Sequence, residues 1–273
     1  MRGRPYILGE TSWQAVRDTP YNVAVLPWGA TEAHNYHLPY ATDNIQVAYV
    51  AAESARLAWD QGARVIVLPT VPFGVNTGQL DVKLDINMMP STQAALLADI
   101  VQVLSRQKIR KFVVLNGHGG NSFRQMIRET GVRYPDMFIC EINWFKVLKG
   151  AEYFDEPGDH GGEMETSNLL CLAPELVLPL SEAGCGHARK SALAGIREGW
   201  VWAERRWPEV TEDTGVGDPS LSTREKGKRF LDALTLKFSD FLVELSNQDL
   251  EALYVLPDGD FQHPSGQTHP DSL

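Results

Sequence analysis

The chain has 273 residues, 43% of them hydrophobic and 22% charged, with a formal net charge of −10. Such a makeup belongs to a globular protein able to bury a sizeable core, and the acidic balance argues against nucleic acid or an anionic membrane as partner, since it offers no basic patch to release counterions from phosphates. The cysteines, Cys140, Cys171 and Cys185, are scattered without a CxxC pair, which argues against a disulfide framework and a thiolate zinc site.

The N-terminus lacks a signal-peptide apolar stretch, and no segment approaches the roughly 18 apolar residues of a membrane span. The expectation is a cytoplasmic protein with a small-molecule substrate. α/β proteins of about 200 to 250 residues are commonly one unit, so residues 1–273 are expected to form a single domain, with its core over about 20–245 and a tail over 250–273 that can be mobile.

In chain order, Asn22 to Pro27 (NVAVLP) is a short apolar, β-branched run, the pattern of a buried strand. A polar loop follows. Asp43 or Asn44 can cap a helix to about Asp60, with Gly62 as its stop. Arg64 to Pro69 (RVIVLP) reads as a second strand. From Thr70 to Pro90 prolines and glycines break any period; a loop that long is usually functional and suits a wall or lid. Ser91 is placed to cap an amphipathic helix through Leu104, and Lys111 to Leu115 (KFVVL) is a third strand. A helix over Ser122 to Val132 and a strand near Met137 to Ile142 complete the alternation. Beyond Asp159 the order is less regular: a helix over Glu163 to Cys171, a break at Pro174 to Pro179, a tryptophan cluster at Trp200, Trp202 and Trp207, and an amphipathic helix over Thr223 to Ser246.

Strand and helix in alternation specify a mainly parallel sheet covered on both faces, with ligands beyond the carboxyl ends of the strands. Two loops that follow strand ends carry acids and imidazoles: Leu26 to Asp43 (LPWGATEAHNYHLPYATD) and Asn116 to Asn121 (NGHGGN). A third stretch, Asp159 to Ser167 (DHGGEMETS), adds more. Glu32 and His34 are two apart, so in extended backbone their side chains point the same way and can reach one metal. Asp43 must return through the loop and can bridge two cations. The glycines around His118 let backbone crowd close to a ligand. Each residue also has a plain structural reading: Glu32 as a solvated loop acid, Asp43 as a helix cap, His118 on a glycine turn, Glu163 as first-turn acid, Glu165 with Thr166 and Ser167 as a polar rim. The NGHGGN loop lacks the lysine and spacing of a phosphate-binding loop. Carboxylates and imidazoles without thiolates suit zinc, manganese or iron in a working site rather than a structural zinc. His37 is expected to hold a ligand or the loop, while His187, His263 and His269 are expected at the surface. Trp144 or the Trp200 group can supply an aromatic lid.

Together these stretches resemble the creatininase family. The match runs through Pro27, Gly29, Ala30, Glu32, His34, His37, Leu38, Pro39, Thr42 and Asp43, the NGHGGN loop, the HxGExETS segment, and the Gly217-Asp218-Pro219 turn with Thr223 to Gly227. The resemblance implies a three-layer α/β/α sandwich, two divalent metal ions per chain (Zn, Mn or Fe) and a homo-oligomer, often a hexamer. Carried over, Glu32 and His118 hold one metal, His34 the other, and Asp43 bridges them. The family's carboxylate two residues after the loop histidine is Gly120 here, so Glu163 is expected as fifth ligand. His160 takes the proton-transfer role with Glu165 orienting it or the loop, and Tyr36, Gly119, Gly120 and Asn121 are expected to meet the substrate. The implied activity is amidohydrolysis: a hydroxide bridging the metals attacks the carbonyl of a small amide or cyclic amide, and His160 protonates the departing nitrogen. Opening of an inosose ring by the same site, or ligand binding without catalysis, are the other readings. Asn35 and Tyr36 stand where the family usually has Gly-Pro, which points away from creatinine as the substrate.

Overall fold

The computed structural model describes residues 3–254. Of the expected tail, residues 255–273 lie outside that range, as do His263 and His269. Four strands, β1 (Val23–Trp28), β2 (Val65–Val67), β3 (Lys111–Asn116) and β4 (Phe138–Asn143), pair in the order β2-β1-β3-β4, every pair parallel. The helices are α1 (Trp13–Asp18), α2 (Thr42–Asp60), α3 (Pro90–Arg106), α4 (Arg124–Arg133), α5 (Glu163–Leu172), α6 (Ala194–Arg197), α7 (Trp207–Val210) and α8 (Arg224–Asn247). Among the described residues no helix is long and apolar enough to cross a membrane.

Alternation along β1 builds two cores. Val23 and Val25 pack with Val47 and Val50 of α2 and Phe230 and Leu234 of α8; Ala24, Leu26 and Trp28 face the other way, onto Leu97 and Val101 of α3 and onto Phe123. The sheet is therefore the middle of three layers, as expected. Because both faces are covered, β1 and β3 are buried along their whole length, which is why they read as unbroken apolar runs.

The connections position the site. From β1 the chain passes through α2 to β2, then returns through α3, on the opposite face, to β3 on the far side of β1. This reversal opens a crevice at the carboxyl ends of β1 and β3. Those ends are level, Trp28 opposite Asn116. The backbone N–H of Gly117 donates to the carbonyl of Trp28 at 2.8 Å, so the two ligand-bearing loops leave the sheet side by side.

Several boundaries differ from the sequence reading for local reasons. Asp43 is not the cap of α2: Ala41 holds that position without a side-chain bond, and Asp43 lies in the first turn. The helix ends as expected, with Gly62 at φ +93°; its N–H donates to Trp59 and that of Ala63 to Ala58, a paired closure only a left-handed residue permits readily. Ser91 is inside α3, whose first residue is Pro90, a position where the missing N–H costs nothing. The 70–90 segment is irregular but tied down: Gly74 bridges Asn87 within it, and Thr31 bridges Ile86, holding it against the Glu32 loop as a wall.

Helices α5 and α8 approach closely at Gly227, where an added Cβ would stand 2.0 Å from the carbonyl oxygen of Ser167. Gly227→Ala must push α8 off α5, and we expect a loss of about 2–4 kcal/mol. Gly131 in α4 has nothing within 4 Å of its added Cβ, so Gly131→Ala should gain about 0.5–1 kcal/mol. Denaturant titration of both variants checks the pair, and equal effects would contradict this packing.

Candidate metal centre

Three carboxylates and three imidazoles converge at the β1/β3 crevice. Glu32 and His34 come from the β1 loop, Asp43 from α2, His118 from the β3 loop, Glu165 from α5 and His160 from the residues before it. All six are buried, none more than 8% exposed. Their ligand atoms form sets lying within 4.8 Å of one another: Glu32, Asp43 and His118; His34, Asp43 and Glu165; and Glu32, His34 and His160. Asp43 belongs to two of them. Its Oδ1 stands 3.1 Å from His34 Nε2 and its Oδ2 3.1 Å from His118 Nδ1.

Backbone carbonyls aim the imidazoles. One nitrogen of each ring donates to a carbonyl and the other is left facing the cluster: His34 Nδ1 to Glu32 at 3.2 Å, His118 Nε2 to Val75 at 3.0 Å, and His160 Nε2 to Ala33 at 2.8 Å. This fixes tautomer as well as orientation, the usual duty of groups that back a metal ligand. Amides back the carboxylates. Gln79 Nε2 donates to Glu32 Oε2 at 2.6 Å, Gln46 Nε2 to Glu165 Oε1 at 3.2 Å, and the N–H of Gly161 to Glu165 Oε2 at 2.7 Å. Asp85 accepts the N–H of Ala33 at 2.7 Å, so the peptide between Glu32 and His34 is held at both ends.

The electrostatics follow from this crowding. Burial works against charge on His34, but Asp43, Glu165 and Glu32 outweigh it and push its pKa up to about 10. His118 is likewise raised well above the ordinary imidazole range by Glu32 and Asp43 against burial. For Glu32, burial is outweighed by His118, His160 and His34, and its carboxyl is held low. Protons on imidazoles thus stand where cations would otherwise balance three buried carboxylates. His37, by contrast, is lowered to about 4 by burial and by the charge on His34, and shares a hydrogen bond with the Thr166 hydroxyl at 2.8 Å. The donor set fits divalent cations: hard carboxylates with imidazoles, already oriented, and one oxygen, Asp43 Oδ2, buried without a well-formed hydrogen bond.

The structure separates the two α5 glutamates. Glu163, expected among the ligands, is fully buried but turned away: it pairs with Lys226 Nζ and accepts the N–H of Glu156 at 2.7 Å. Glu165, expected only to orient, is the one that stands 3.8 Å from His34 Nε2. The reason the β3 loop offers no carboxylate is steric. A Cβ on Gly120 would lie 2.3 Å from the Val75 carbonyl oxygen and 2.5 Å from His118 Nε2.

The residues expected to meet substrate divide. Gly119 and Gly120 are exposed at the loop. Asn121 is committed to scaffolding, its Oδ1 accepting from Val75 N–H and Gln93 and its Nδ2 donating to Asn116. Tyr36 is 60% exposed and its hydroxyl donates to the Glu212 carbonyl at 3.1 Å. Its neighbour Asn35, at φ +56°, exchanges two hydrogen bonds with Gly184. The Asn-Tyr pair therefore clasps the 184–215 segment. Trp144 is core, Trp200 and Trp202 are largely exposed, and Trp207 lies against His160 with ring centroids 4.7 Å apart. Sequence reasoning missed Gln46, Gln79 and Asp85. Only Gln46 left a trace, one helical turn beyond Asp43.

A creatininase family model, described as creatinine amidohydrolase, matches residues 9–242. A solved structure of a candidate creatinine amidohydrolase from Bacteroides fragilis superposes with a TM-score of 0.85 at 42% identity, covering 90% of this chain and 98% of that one. A mycofactocin precursor peptide peptidase from Mycolicibacterium smegmatis is 28% identical over 212 residues, 76% of this chain and 78% of the relative. The creatinine amidohydrolase of Pseudomonas putida is 28% identical over 179 residues, 57% of this chain and 66% of the relative.

The raised imidazoles give the metal-free protein a definite pH response. A histidine whose folded pKa is raised contributes stability that is complete below its unfolded value near about 6.5 and is lost as pH rises through the folded value. For His34 that window runs up to about 10. Cations must displace the same protons, so their affinity climbs over that window. Calorimetry in chelator should show Tm falling from about pH 6.5 to about pH 9.5, while the Tm gain on adding zinc widens. A chelated protein whose Tm is flat or rising across that range would contradict the assigned charges.

Proposed function

The chain belongs to the creatininase family, metal-dependent hydrolases of carbon–nitrogen bonds, and from that premise we propose that it hydrolyses the amide bond of a small molecule at a paired metal site. The observation carrying this reading is that Asp43 turns one oxygen to His34 and the other to His118. Glu32 and His118 would hold one cation, His34 and Glu165 the other, and Asp43 both. Glu165 takes the role first expected of Glu163, because Glu163 is already paired with Lys226. Zinc, manganese and iron all suit such a donor set.

When bound, two divalent cations would acidify a water and polarise the carbonyl it attacks. The protein's own part is positioning and proton transfer. With Nε2 of His160 committed to the Ala33 carbonyl, Nδ1 is the atom free to carry a proton, and it faces Glu32 at 3.9 Å. A proton on Nδ1 can pass to the departing nitrogen, the step that makes an amine a viable leaving group. His34 stacks on the His160 ring at 3.9 Å and Trp207 packs against it at 4.7 Å, which restrains the imidazole. His37 braces the His34 turn against α5 through Thr166.

The named relatives act on a peptide and on creatinine, so an acyclic or a cyclic amide is the substrate class to search. The Asn35 and Tyr36 contacts hold the 184–215 segment against the loop that carries Glu32 and His34.

Elemental mass spectrometry and turnover of a panel of acyl amides and short peptides, on protein prepared without chelator, test this. We expect about two ions per chain in the parent and about one in Glu165→Gln, with activity down by more than the roughly 10- to 100-fold typical of outer-shell changes. Glu163→Gln should keep both ions and lose about 1–3 kcal/mol of stability, leaving Lys226 with Asp155 alone. Metal loss in Glu163→Gln with retention in Glu165→Gln would reverse the assignment.

A further inference from the structure

Gln79 sits in a short 3-10 turn at Thr77–Gln79, within the 70–90 wall, and is 3% exposed. Its Nε2 donates to Glu32 Oε2 at 2.6 Å. The opposite amide orientation would set two acceptors against each other, so chemistry fixes which atom faces the carboxylate. The other end of the same amide, Oε1, is buried and has no hydrogen-bond partner. An unpaired buried carbonyl carries a cost in stability. The turn is held firmly enough to sustain that cost. Gly78 packs against the carbonyl of Arg205, where an added Cβ would lie 2.1 Å away, and Thr77 bonds Glu204. Arg205 pairs with Asp159 at 2.7 Å and lies over the Trp207 ring at 4.8 Å, and Trp207 packs on His160. Contacts therefore run without a break from Glu32 through Gln79, Gly78, Arg205 and Trp207 to His160, which itself faces Glu32.

We propose that Gln79 is a substrate-binding residue, its Oε1 accepting the N–H of the scissile amide, and that the site therefore selects amides that carry an N–H over N-alkylated ones. This rests on the hydrolase reading above. A departing nitrogen needs a proton from one side, which His160 Nδ1 can carry 3.9 Å from Glu32 Oε1, and an acceptor for its own N–H on another, and the Gln79 amide is anchored to the other Glu32 oxygen through Nε2. A site with an unpaired acceptor rejects an analogue that cannot donate to it. Gln79 also supports a metal ligand through Nε2, so its two ends have separable consequences.

Acetohydroxamic acid and N-methylacetohydroxamic acid serve as the probes, since both chelate metals through oxygen and only the first carries an N–H. Their dissociation constants are measured by isothermal titration calorimetry on the full chain, zinc-loaded, with metal content determined first. We expect the parent protein to prefer the N–H compound by about ten- to a hundredfold, the factor of one buried acceptor left unpaired. Gln79→Met should weaken acetohydroxamate to the level of its N-methyl analogue. Equal affinities in the parent overturn the proposal whatever the variants do. So does a Gln79→Met protein that weakens both probes by the same factor, the mark of a residue that only supports Glu32. Zinc-loaded protein that binds neither probe overturns the proposal and leaves the paired site standing; a chain that takes up no zinc removes the hydrolase reading, and this inference with it.

Discussion

Buried like charge is the constraint from which the rest of the molecule can be understood. Glu32, Asp43 and Glu165 are drawn together under a cover that leaves each of them less than a tenth exposed. Carboxylates so placed would ordinarily protonate or move apart. Here the compensating groups are imidazoles, whose raised pKa values record how strongly the cluster calls for positive charge. The architecture is what makes this tolerable. Two level strand ends present two loops side by side, α2 contributes its first turn, and α5 closes from beyond. Five of the six side chains then have a partner behind them: a backbone carbonyl for each histidine, a side-chain amide for Glu32 and for Glu165.

Much of this was readable in the residues. The strands stood out because a sheet covered on both faces demands continuous apolar runs, and NVAVLP and KFVVL are such runs. The crevice followed from alternation alone, since loops after β1 and β3 must share a rim once the sheet is parallel. Glu32, His34, Asp43 and His118 were visible as a set because a proline-braced loop concentrates acids and imidazoles after β1 and a glycine-rich loop places a histidine after β3.

What was not readable depended on partners distant in sequence. Glu163 and Glu165 lie in the same first turn of α5, and consecutive helical residues differ by about 100° in direction, so two apart they face nearly opposite ways. Which one turns inward is decided by Lys226 of α8, which claims Glu163. Gln79 was hidden for a different reason. It lies in irregular backbone with no period to place its side chain, and its position is set by Arg205 and Glu204 from a segment well over a hundred residues later. Asp43 was read partly as a cap because Asp before an apolar helical run usually is one. Ala41 instead holds the cap position, and the carboxylate one residue inside is released for the centre.

The close fit around Gly120 reaches beyond the count of ligands. A donor at that position would tie the β3 loop to the neighbouring β1 loop, two segments the sheet already holds together. With that position filled by the Val75 carbonyl and the His118 ring, the carboxylate that completes the cluster is on α5 instead, more than a hundred residues beyond Asp43 in the chain. A cation held by both Asp43 and Glu165 would then be a cross-link fastening the C-terminal helices to the sheet. The conformational freedom such a link removes from the unfolded chain grows with the logarithm of the enclosed length. In this protein one glycine would turn a bound ion into a long-range staple, and would couple acquisition of the metal to assembly of the outer helical layer.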